Sequence, residues 1–335
     1  MSRLALRRGT VVSVDGPGEI TVEVAGERRR ALSFDDMTGP VEAGDDVVVN
    51  VAAVELGLGS GGFDIVHVNL TRGLAGAGAE GAHVMKLNYT SLQHAVVPVE
   101  ELAEGRAQGA GGRPVAVLAL HGQLPCVAWA AGQARPGARI GYVQTAGGAL
   151  PGQLSRVVRQ MLDSGLLAGH ITAAPAFGGM HEAISTPGAL HAGLTALGWE
   201  GAIVGPGPGI LGSATALGHG GLAALDNAHA ALALGATTIV VPRMSSGDPR
   251  PRHQGLSHHT QTVLEMMLRP ALVALPPGDS PPLSGEHEAR TGEADLDGYR
   301  ASGLPTSTMG RWIDDDELFF RASLAGGSVL AGEIG

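Results

Sequence analysis

The sequence predicts an α/β fold: a mostly parallel, doubly wound sheet of about six strands, preceded by a small β-barrel of the SH3-like or OB-like type. Two patterns predict it. Short strands separated by turn residues occupy residues 9–70, and beyond residue 113 apolar strands alternate with stretches of helical spacing. The chain has 335 residues, of which 44% are apolar, and that is enough to bury a core of this size.

The barrel is predicted from period-two alternation near the N-terminus. Ile20, Val22 and Val24 alternate with polar residues, as they would in a strand with one buried face. Residues 9–14 and 41–50 supply further strands, and several short strands at this spacing favour a small barrel. Its exposed edges are compatible with a homodimer.

The parallel sheet is predicted from short apolar strands that alternate with helical segments. Such alternation produces right-handed βαβ crossovers and covers both faces of the sheet with helices. The predicted strands are residues 115–120, 140–144, 171–174, 202–205, 238–242 and 271–275.

These patterns divide the chain into parts. The barrel domain and a linking segment occupy residues 1–104, and a glycine-rich connector covers residues 105–113. The α/β domain with its ligand loops spans residues 113–276. Residues 277–335 form a Pro- and Gly-rich excursion, followed by a C-terminal helix that begins near Trp312.

Composition excludes several function classes. The formal net charge of −10 argues against a broad nucleic-acid or anionic-membrane surface, because both need clustered Lys and Arg. Cys126 is the single cysteine, which excludes an intrachain disulfide and a Cys-based zinc cluster. The N-terminus carries no secretory signal, and the most apolar window, residues 114–132, is interrupted by polar residues and proline. We therefore expect a cytoplasmic protein without a membrane partner.

The candidate site lies in the loops after the predicted strands, because ligands of parallel sheets bind at the carboxyl ends of the strands. The loop after the fourth strand has the spacing of a dinucleotide fingerprint, and its small residues could bring backbone N–H groups close to a phosphate or a carboxylate. These residues are Gly205, Gly207, Gly209, Gly212, Ser213 and Thr215. We favour a plain anion cradle over dinucleotide binding, since the next strand ends in Arg243 with no acid to hold a ribose. A tight turn with close packing is the alternative.

The loop after the fifth strand carries the strongest signal. Arg243, Arg250 and Arg252 are three permanent cations within ten residues and suit a bidentate grip on phosphate or carboxylate. The same loop carries three histidines and an aspartate near enough to orient a ring or bind metal: His253, His258, His259 and Asp248. We expect His258 or His259 in the first turn of the next helix, capped by Ser257 or Ser245, where the helix dipole favours neutral imidazole. A network of arginines around the aspartate, with surface histidines, is the alternative.

Three further residues are candidates. His121 follows the first strand of the sheet, and Glu182 follows the third, where it could act as acid or base or join a metal set. Lys86 is the only lysine in a chain that otherwise uses arginine, so it could serve where a compact, deprotonatable cation is needed. For each of them a solvated or packed structural role is the alternative.

Several motifs together resemble an uncharacterised bacterial family defined only as a domain of unknown function, with a small N-terminal β-barrel and an α/β domain. The motifs lie at residues 54–64, 83–90, 176–179, 207–210, 248–253 and 257–259. The resemblance implies that the barrel and the α/β half belong together, and it supplies no activity.

The chain departs from this family pattern at two candidate metal ligands. Ala146 and Met180 stand where the pattern has Asp, and His181 and Ser185 stand where it has Leu and Asn. A divalent metal is a candidate cofactor, but the loss of two carboxylates weakens a metal centre built on those positions.

The sequence therefore predicts an enzyme, a hydrolase or group transferase, whose partner is a small phosphorylated or nucleotide-like metabolite. The anion would bind at the glycine loop and the arginines, and a histidine would act as base or metal ligand. Two alternatives stay open: a non-catalytic metabolite sensor, and an RNA-associated protein that binds through the barrel.

Overall fold

The chain folds into two compact units, Met1–Val96 and Val97–Gly335. The computed structural model describes residues 3–59, 61–103, 109–213 and 215–335. The first four residues of the predicted connector, 105–108, lie outside the described residues. Each unit has a hydrophobic core of its own.

In the first unit, five strands close into a barrel. They are β1 (Leu6–Gly16), β2 (Glu19–Val24), β3 (Glu27–Leu32), β4 (Asp46–Asn50) and β5 (Asp64–Asn69). Their order around the barrel is β1-β2-β3-β5-β4. Ile20, Val22 and Val24 are buried in its valine-rich core, so the predicted alternation is confirmed. The unit also contains two short helices and a hairpin: α1 (Asp35–Thr38), α2 (Ala52–Glu55), β6 (Val84–Lys86) and β7 (His94–Val96).

The second unit is built on a parallel sheet. Its strands are β8 (Pro114–Leu118), β9 (Ile140–Thr145), β10 (His170–Ala173), β11 (His181–Ala183), β12 (Gly201–Pro206), β13 (Thr237–Val241), β14 (Met244–Ser245), β15 (Gly255–Leu256), β16 (Leu272–Leu275), β17 (Glu288–Thr291), β18 (Ser307–Thr308) and β19 (Arg311–Trp312). Eight of them form one sheet in the order β11-β10-β9-β12-β8-β13-β16-β17, and its strand pairings are parallel. The ribbons β14–β15 and β18–β19 are antiparallel.

The sheet has eight strands, where the sequence predicted about six. All six predicted strands are present, and the two that were missed, β11 and β17, lie at opposite edges of the sheet. β11 has three residues, and the four residues of β17 are all exposed, so neither carries the apolar run that marks a buried strand. β17 also lies inside the segment that was predicted to be an excursion.

Helices cover both faces of this sheet. They are α3 (Leu124–Ala134), α4 (Arg156–Asp163), α5 (Thr186–Thr195), α6 (Ala223–Ala233), α7 (His258–Met266), α8 (Leu296–Arg300) and α9 (Glu317–Gly332). Ala116 and Leu118 of β8 share one core with α3 and α9, while Val115 and Val117 share the other with α5 and α6. The predicted C-terminal helix is α9, and it begins after Trp312 because that residue belongs to β19. Within the described residues, no helix has the length and apolar character needed to cross a bilayer.

Candidate functional site

The fifth loop connects β13 to α7 at the carboxyl edge of the sheet. β14 and β15 pair within it, so the loop folds back on itself before it reaches Ser257. Ser257 is the N-cap of α7, and its Oγ accepts a hydrogen bond from the backbone N–H of His259 at 3.3 Å. The helix begins at His258. Both adjacent histidines therefore lie in its first turn, which confirms that prediction.

Four histidine rings meet at the start of α7. We call them the histidine cluster: His219, His253, His258 and His259. The ring centroids of His258 and His259 lie 4.2 Å apart, and the centroid of His253 lies 5.0 Å and 4.7 Å from them. His219 stacks on His259 at a centroid distance of 3.4 Å and an angle of 14°. Imidazoles at this spacing can share one ligand.

Four ring nitrogens of the cluster have no hydrogen-bond partner among the described residues: both nitrogens of His219, and the Nε2 atoms of His253 and His258. His253 Nδ1 lies 2.7 Å from Ser257 Oγ. The Nε2 atoms of His253 and His258 are buried and have no hydrogen-bond partner among the described residues. A buried polar atom left unpaired costs about 1–3 kcal/mol. Such atoms are rare in folded proteins, and the two Nε2 atoms point to a ligand.

The surroundings of the cluster lower the pKa of its histidines and so favour neutral imidazole. Burial, together with the charges of Arg243 and Arg250, lowers the pKa of His253 to about 4. Burial is also the largest cause that lowers the pKa of each of the other three histidines. Neutral imidazole is the form that acts as a general base or binds a metal.

Asp248 binds two of the three arginines of the fifth loop. Its Oδ2 accepts hydrogen bonds from Arg243 Nη2 at 2.9 Å and from Arg250 Nη2 at 2.7 Å, and Arg311 Nη2 lies 3.5 Å away. Hydrogen bonding to Arg250, helped by the charges of Arg250 and Arg311, holds the pKa of Asp248 far below its usual range. Asp248 thus anchors arginines, which matches the arginine network that the sequence left open as the alternative to orienting a ring or binding metal.

A second buried carboxylate, that of Asp316, completes this arrangement. It accepts hydrogen bonds from Ser245 Oγ and from Arg311 Nε, both at 2.8 Å. The backbone N–H groups of Ser246 and Gly247 also bind its Oδ1, at 2.8 Å and 3.1 Å. We call the whole set the arginine–aspartate network: Arg243, Asp248, Arg250, Arg311 and Asp316.

The surroundings of the histidine cluster carry a positive excess. In the arginine–aspartate network three arginines face two aspartates. Arg252 is exposed and adds a fourth cation. Its charge is, after burial, the largest cause that lowers the pKa of His258, which places this cation near the cluster. Such surroundings favour an anion.

Glycines of the loop after β9 and of the fourth loop, which follows β12, pack backbone to backbone. A Cβ on Gly148 would collide with the carbonyl oxygen of Gly207, and a Cβ on Gly207 would collide with that of Ala149. A Cβ on Gly205 would press on β8, while Gly209 occupies an exposed turn with a φ of 69°. Close packing therefore accounts for three of these glycines: Gly148 and Gly207 pack loop against loop, and Gly205, within β12, packs against β8. The alternative from the sequence was a tight turn with close packing of a strand against a helix.

The rest of the fourth loop turns back on itself. Gly212 and His219 form an isolated antiparallel bridge, and the exposed hydroxyls of Ser213 and Thr215 bond to each other at 2.8 Å. The next helix, α6, begins at Ala223. The loop therefore returns His219 to the histidine cluster. Among the residues of this loop that the structure describes, no α-helix follows the glycines directly, as one does in a dinucleotide-binding fold.

Two other candidates make structural contacts in the second unit. His121 Nε2 lies 2.8 Å from Ser155 Oγ, and this contact links the turn after β8 to the N-cap of α4. The carboxylate of Glu182 accepts hydrogen bonds from Thr172 Oγ1 at 2.9 Å and from the backbone N–H of Gly178, in the loop between β10 and β11, at 2.6 Å. Lys86 belongs to the first unit, where it ends β6 with its side chain buried.

Three residues of the site were missed by sequence reasoning. His219 follows the fingerprint glycines and precedes α6, so its position in a loop after a strand was a usable signal. Arg311 and Asp316 come from the C-terminal segment. No local pattern links them to the fifth loop, because their contacts bridge residues distant in sequence.

Fold and site together define a class of protein: a β-barrel unit joined to a parallel α/β unit whose carboxyl edge carries clustered histidines. The chain belongs to the family described as protein of unknown function (DUF3866), whose model matches residues 30–327. The membership expected from the motifs is thereby confirmed. A search of curated proteins found no match.

Proposed function

We propose that this protein is a hydrolase or group transferase that acts on a small anionic metabolite, phosphorylated or nucleotide-like, at the histidine cluster. The observation that carries the proposal is the pair of buried Nε2 atoms of His253 and His258, for which the described part of the chain supplies no hydrogen-bond partner. They belong to the loop at the carboxyl edge of a parallel sheet, where ligands of such sheets bind. Neutral imidazole supplies the lone pair that activates water or another nucleophile.

The charge around the cluster supports an anionic substrate. Arg252 is exposed, and Arg250 keeps 48% of its side chain exposed while it binds Asp248. The guanidinium of Arg252 can approach a phosphate or a carboxylate from solvent and bind it bidentately. Arg250 holds Asp248 through Nε and Nη2, so only the remaining exposed part of its guanidinium can contact such an anion. The same positive excess would stabilise negative charge that develops on a phosphoryl or acyl oxygen in the transition state.

Hydrolysis or group transfer fits these loops better than hydride transfer. α6 begins at Ala223, well after the glycines of the fourth loop, and β13 leads to Arg243 rather than to an acid. A dinucleotide would therefore lack a helix N-terminus for its pyrophosphate and a carboxylate for its ribose.

Removal of the adjacent histidines should abolish turnover. Full-length protein is screened with p-nitrophenyl phosphate, phosphodiesters, nucleotides and carboxylic esters, and the double variant H258A/H259A is compared on every substrate that reacts. Because the double variant removes the unpaired nitrogen of His258 together with the neighbouring ring of His259, we expect turnover to fall at least about 100-fold. The melting temperature should stay within a few degrees.

His191→Ala provides the matched control, since this ring lies on α5 and belongs to no part of the cluster. Unchanged turnover in H258A/H259A would refute the role of the cluster. Binding of a metabolite without turnover of any substrate would refute the enzymatic role and favour a sensor.

A further inference from the structure

We propose that His253, His258 and His259 hold one divalent transition-metal ion, for which zinc is the best match. The inference rests on the proposed function and specifies how the cluster would activate water. One ring nitrogen of each histidine lies within 4.8 Å of the other two. A tetrahedral zinc ion needs its nitrogen ligands about 3.4 Å apart, a distance that small side-chain rotations can reach.

The ring of His253 is oriented as metal-binding histidines are. Its Nδ1 contacts Ser257 Oγ at 2.7 Å, and the same oxygen accepts the N–H of His259 that caps α7. With the proton on Nδ1, the lone pair of Nε2 is free for a ligand. Metal-bound histidines nearly always donate their other N–H to an oxygen in this way. Because His253 is 0% exposed, solvent is excluded from it.

The other two rings complete the donor set. His258 Nε2 is buried and unpartnered among the described residues. His259 Nδ1 lies 3.4 Å from Arg243 Nη1, which is longer than an ordinary hydrogen bond, so a metal would compete with a weak partner for this nitrogen. His219 stacks on His259 at 3.4 Å and restrains the plane of that ring.

The donor set selects the metal. Three neutral imidazoles suit zinc, cobalt or nickel, whereas magnesium and calcium require oxygen ligands. In the described part of the chain, the group with metal-ligand spacing contains histidines alone, and Asp248 is engaged by arginines. Three protein ligands leave a fourth position for water or substrate, and zinc in such a site lowers the pKa of bound water toward neutrality.

The excess of positive charge around the cluster determines which kind of ligand would occupy the fourth coordination position of the metal. A dication beside surplus arginine charge is unfavourable unless an anion accompanies it. Arg252 and the exposed part of Arg250 carry that surplus. We therefore expect a substrate phosphate or carboxylate to bind the metal and the arginines together.

Metal binding is tested without reference to activity. Full-length protein is stripped with a chelator and titrated with Co²⁺, followed by its visible spectrum, and with Zn²⁺, followed by calorimetry. We expect about one equivalent per chain, a tetrahedral cobalt spectrum and no comparable binding of Mg²⁺. Phosphate added to the Co²⁺-loaded protein should alter that spectrum as it enters the fourth position.

Two variants and one control separate a site from adventitious binding. H258Q is decisive, because His258 is only partly buried at the first residue of α7 and its loss should not prevent folding. We expect H258Q and H253Q to lose at least about tenfold in affinity, while H191Q keeps wild-type affinity. Thermal unfolding verifies that each variant is folded.

Absence of stoichiometric binding, or equal affinity in wild type and folded H258Q, overturns the metal site. An unchanged cobalt spectrum with phosphate overturns the anion-binding fourth position. Stoichiometric zinc without turnover supports the metal site and contradicts the proposed function. Turnover by metal-free protein supports the function and overturns the metal site.

Discussion

At the scale of residues, hydrogen bonding fixes the proton of His121. Its Nδ1 lies 3.3 Å from the carbonyl oxygen of Pro206, which can only accept, so Nδ1 carries the proton. Nε2 then accepts from the hydroxyl of Ser155 at 2.8 Å. Burial lowers the pKa of His121 to about 4 and that of His170, which stacks on Tyr142, to about 3. The fold therefore holds both rings neutral.

Mildly acidic pH should destabilise the protein through His121. The pKa is about 4 in the folded chain and about 6.5 in the unfolded chain, so the unfolded chain binds more protons as the pH falls. The stability from neutral His121 is full above about pH 6.5 and is lost as the pH falls to about 4. We expect H121Q to reduce the loss of unfolding free energy between about pH 7.5 and about pH 5 by about 2 kcal/mol, measured by urea denaturation.

The control for this experiment is His191→Gln, which replaces a partly buried histidine of α5. It should keep the pH dependence of the wild type. The same pH dependence in H121Q and wild type would show that His121 is not held neutral by the fold.

At the scale of elements, the C-terminal segment holds the fifth loop in shape. β19 supplies Arg311, and the residue before α9 is Asp316. Arg311 reaches Asp248, while Asp316 binds Ser245 and two backbone N–H groups of the loop. Asp316 is fully buried. Without this carboxylate, the Ser245 hydroxyl, the two backbone N–H groups and the Arg311 guanidinium would all lose their acceptor.

Asp316→Ala should therefore destabilise the protein strongly. Removing one partner of a buried ion pair costs about 3–5 kcal/mol of unfolding free energy, because the other charge stays buried. Asp297→Ala is the matched control, since Asp297 is 94% exposed and pairs with Arg300 at the surface, where such pairs contribute about 1 kcal/mol or less. Urea denaturation followed by circular dichroism measures both. Equal destabilisation by the two variants would show that the network contributes no more than a surface pair.

The burial of each strand explains which elements of the sheet could be predicted from the sequence. Central strands such as β8 and β12 are buried on both faces, so they appear as apolar runs. β17 pairs through its backbone with β16 while its side chains are exposed, and backbone pairing leaves no mark in the side-chain pattern. β11 is too short to show any period.

At the scale of the whole molecule, the site is assembled from distant segments. The fifth loop was predictable, because its arginines and histidines are adjacent in sequence. His219 and Asp316 were not singled out, since the contacts that bring them to the loop depend on the packing of separate elements. The role of the glycines also differs from the predicted anion cradle, since Gly148 and Gly207 allow two loops to pack closely. This contact could not be predicted because it depends on how both loops fold.

The most direct test of the histidine cluster as a metal centre is anomalous X-ray diffraction. Crystals of the full-length protein grown with zinc are measured on both sides of the zinc absorption edge. We predict one anomalous peak about 2.0–2.1 Å from the Nε2 atoms of His253 and His258, with a nitrogen of His259 as the third ligand. A zinc peak bound to other side chains, or no peak beside the ordered histidine rings, would contradict this centre.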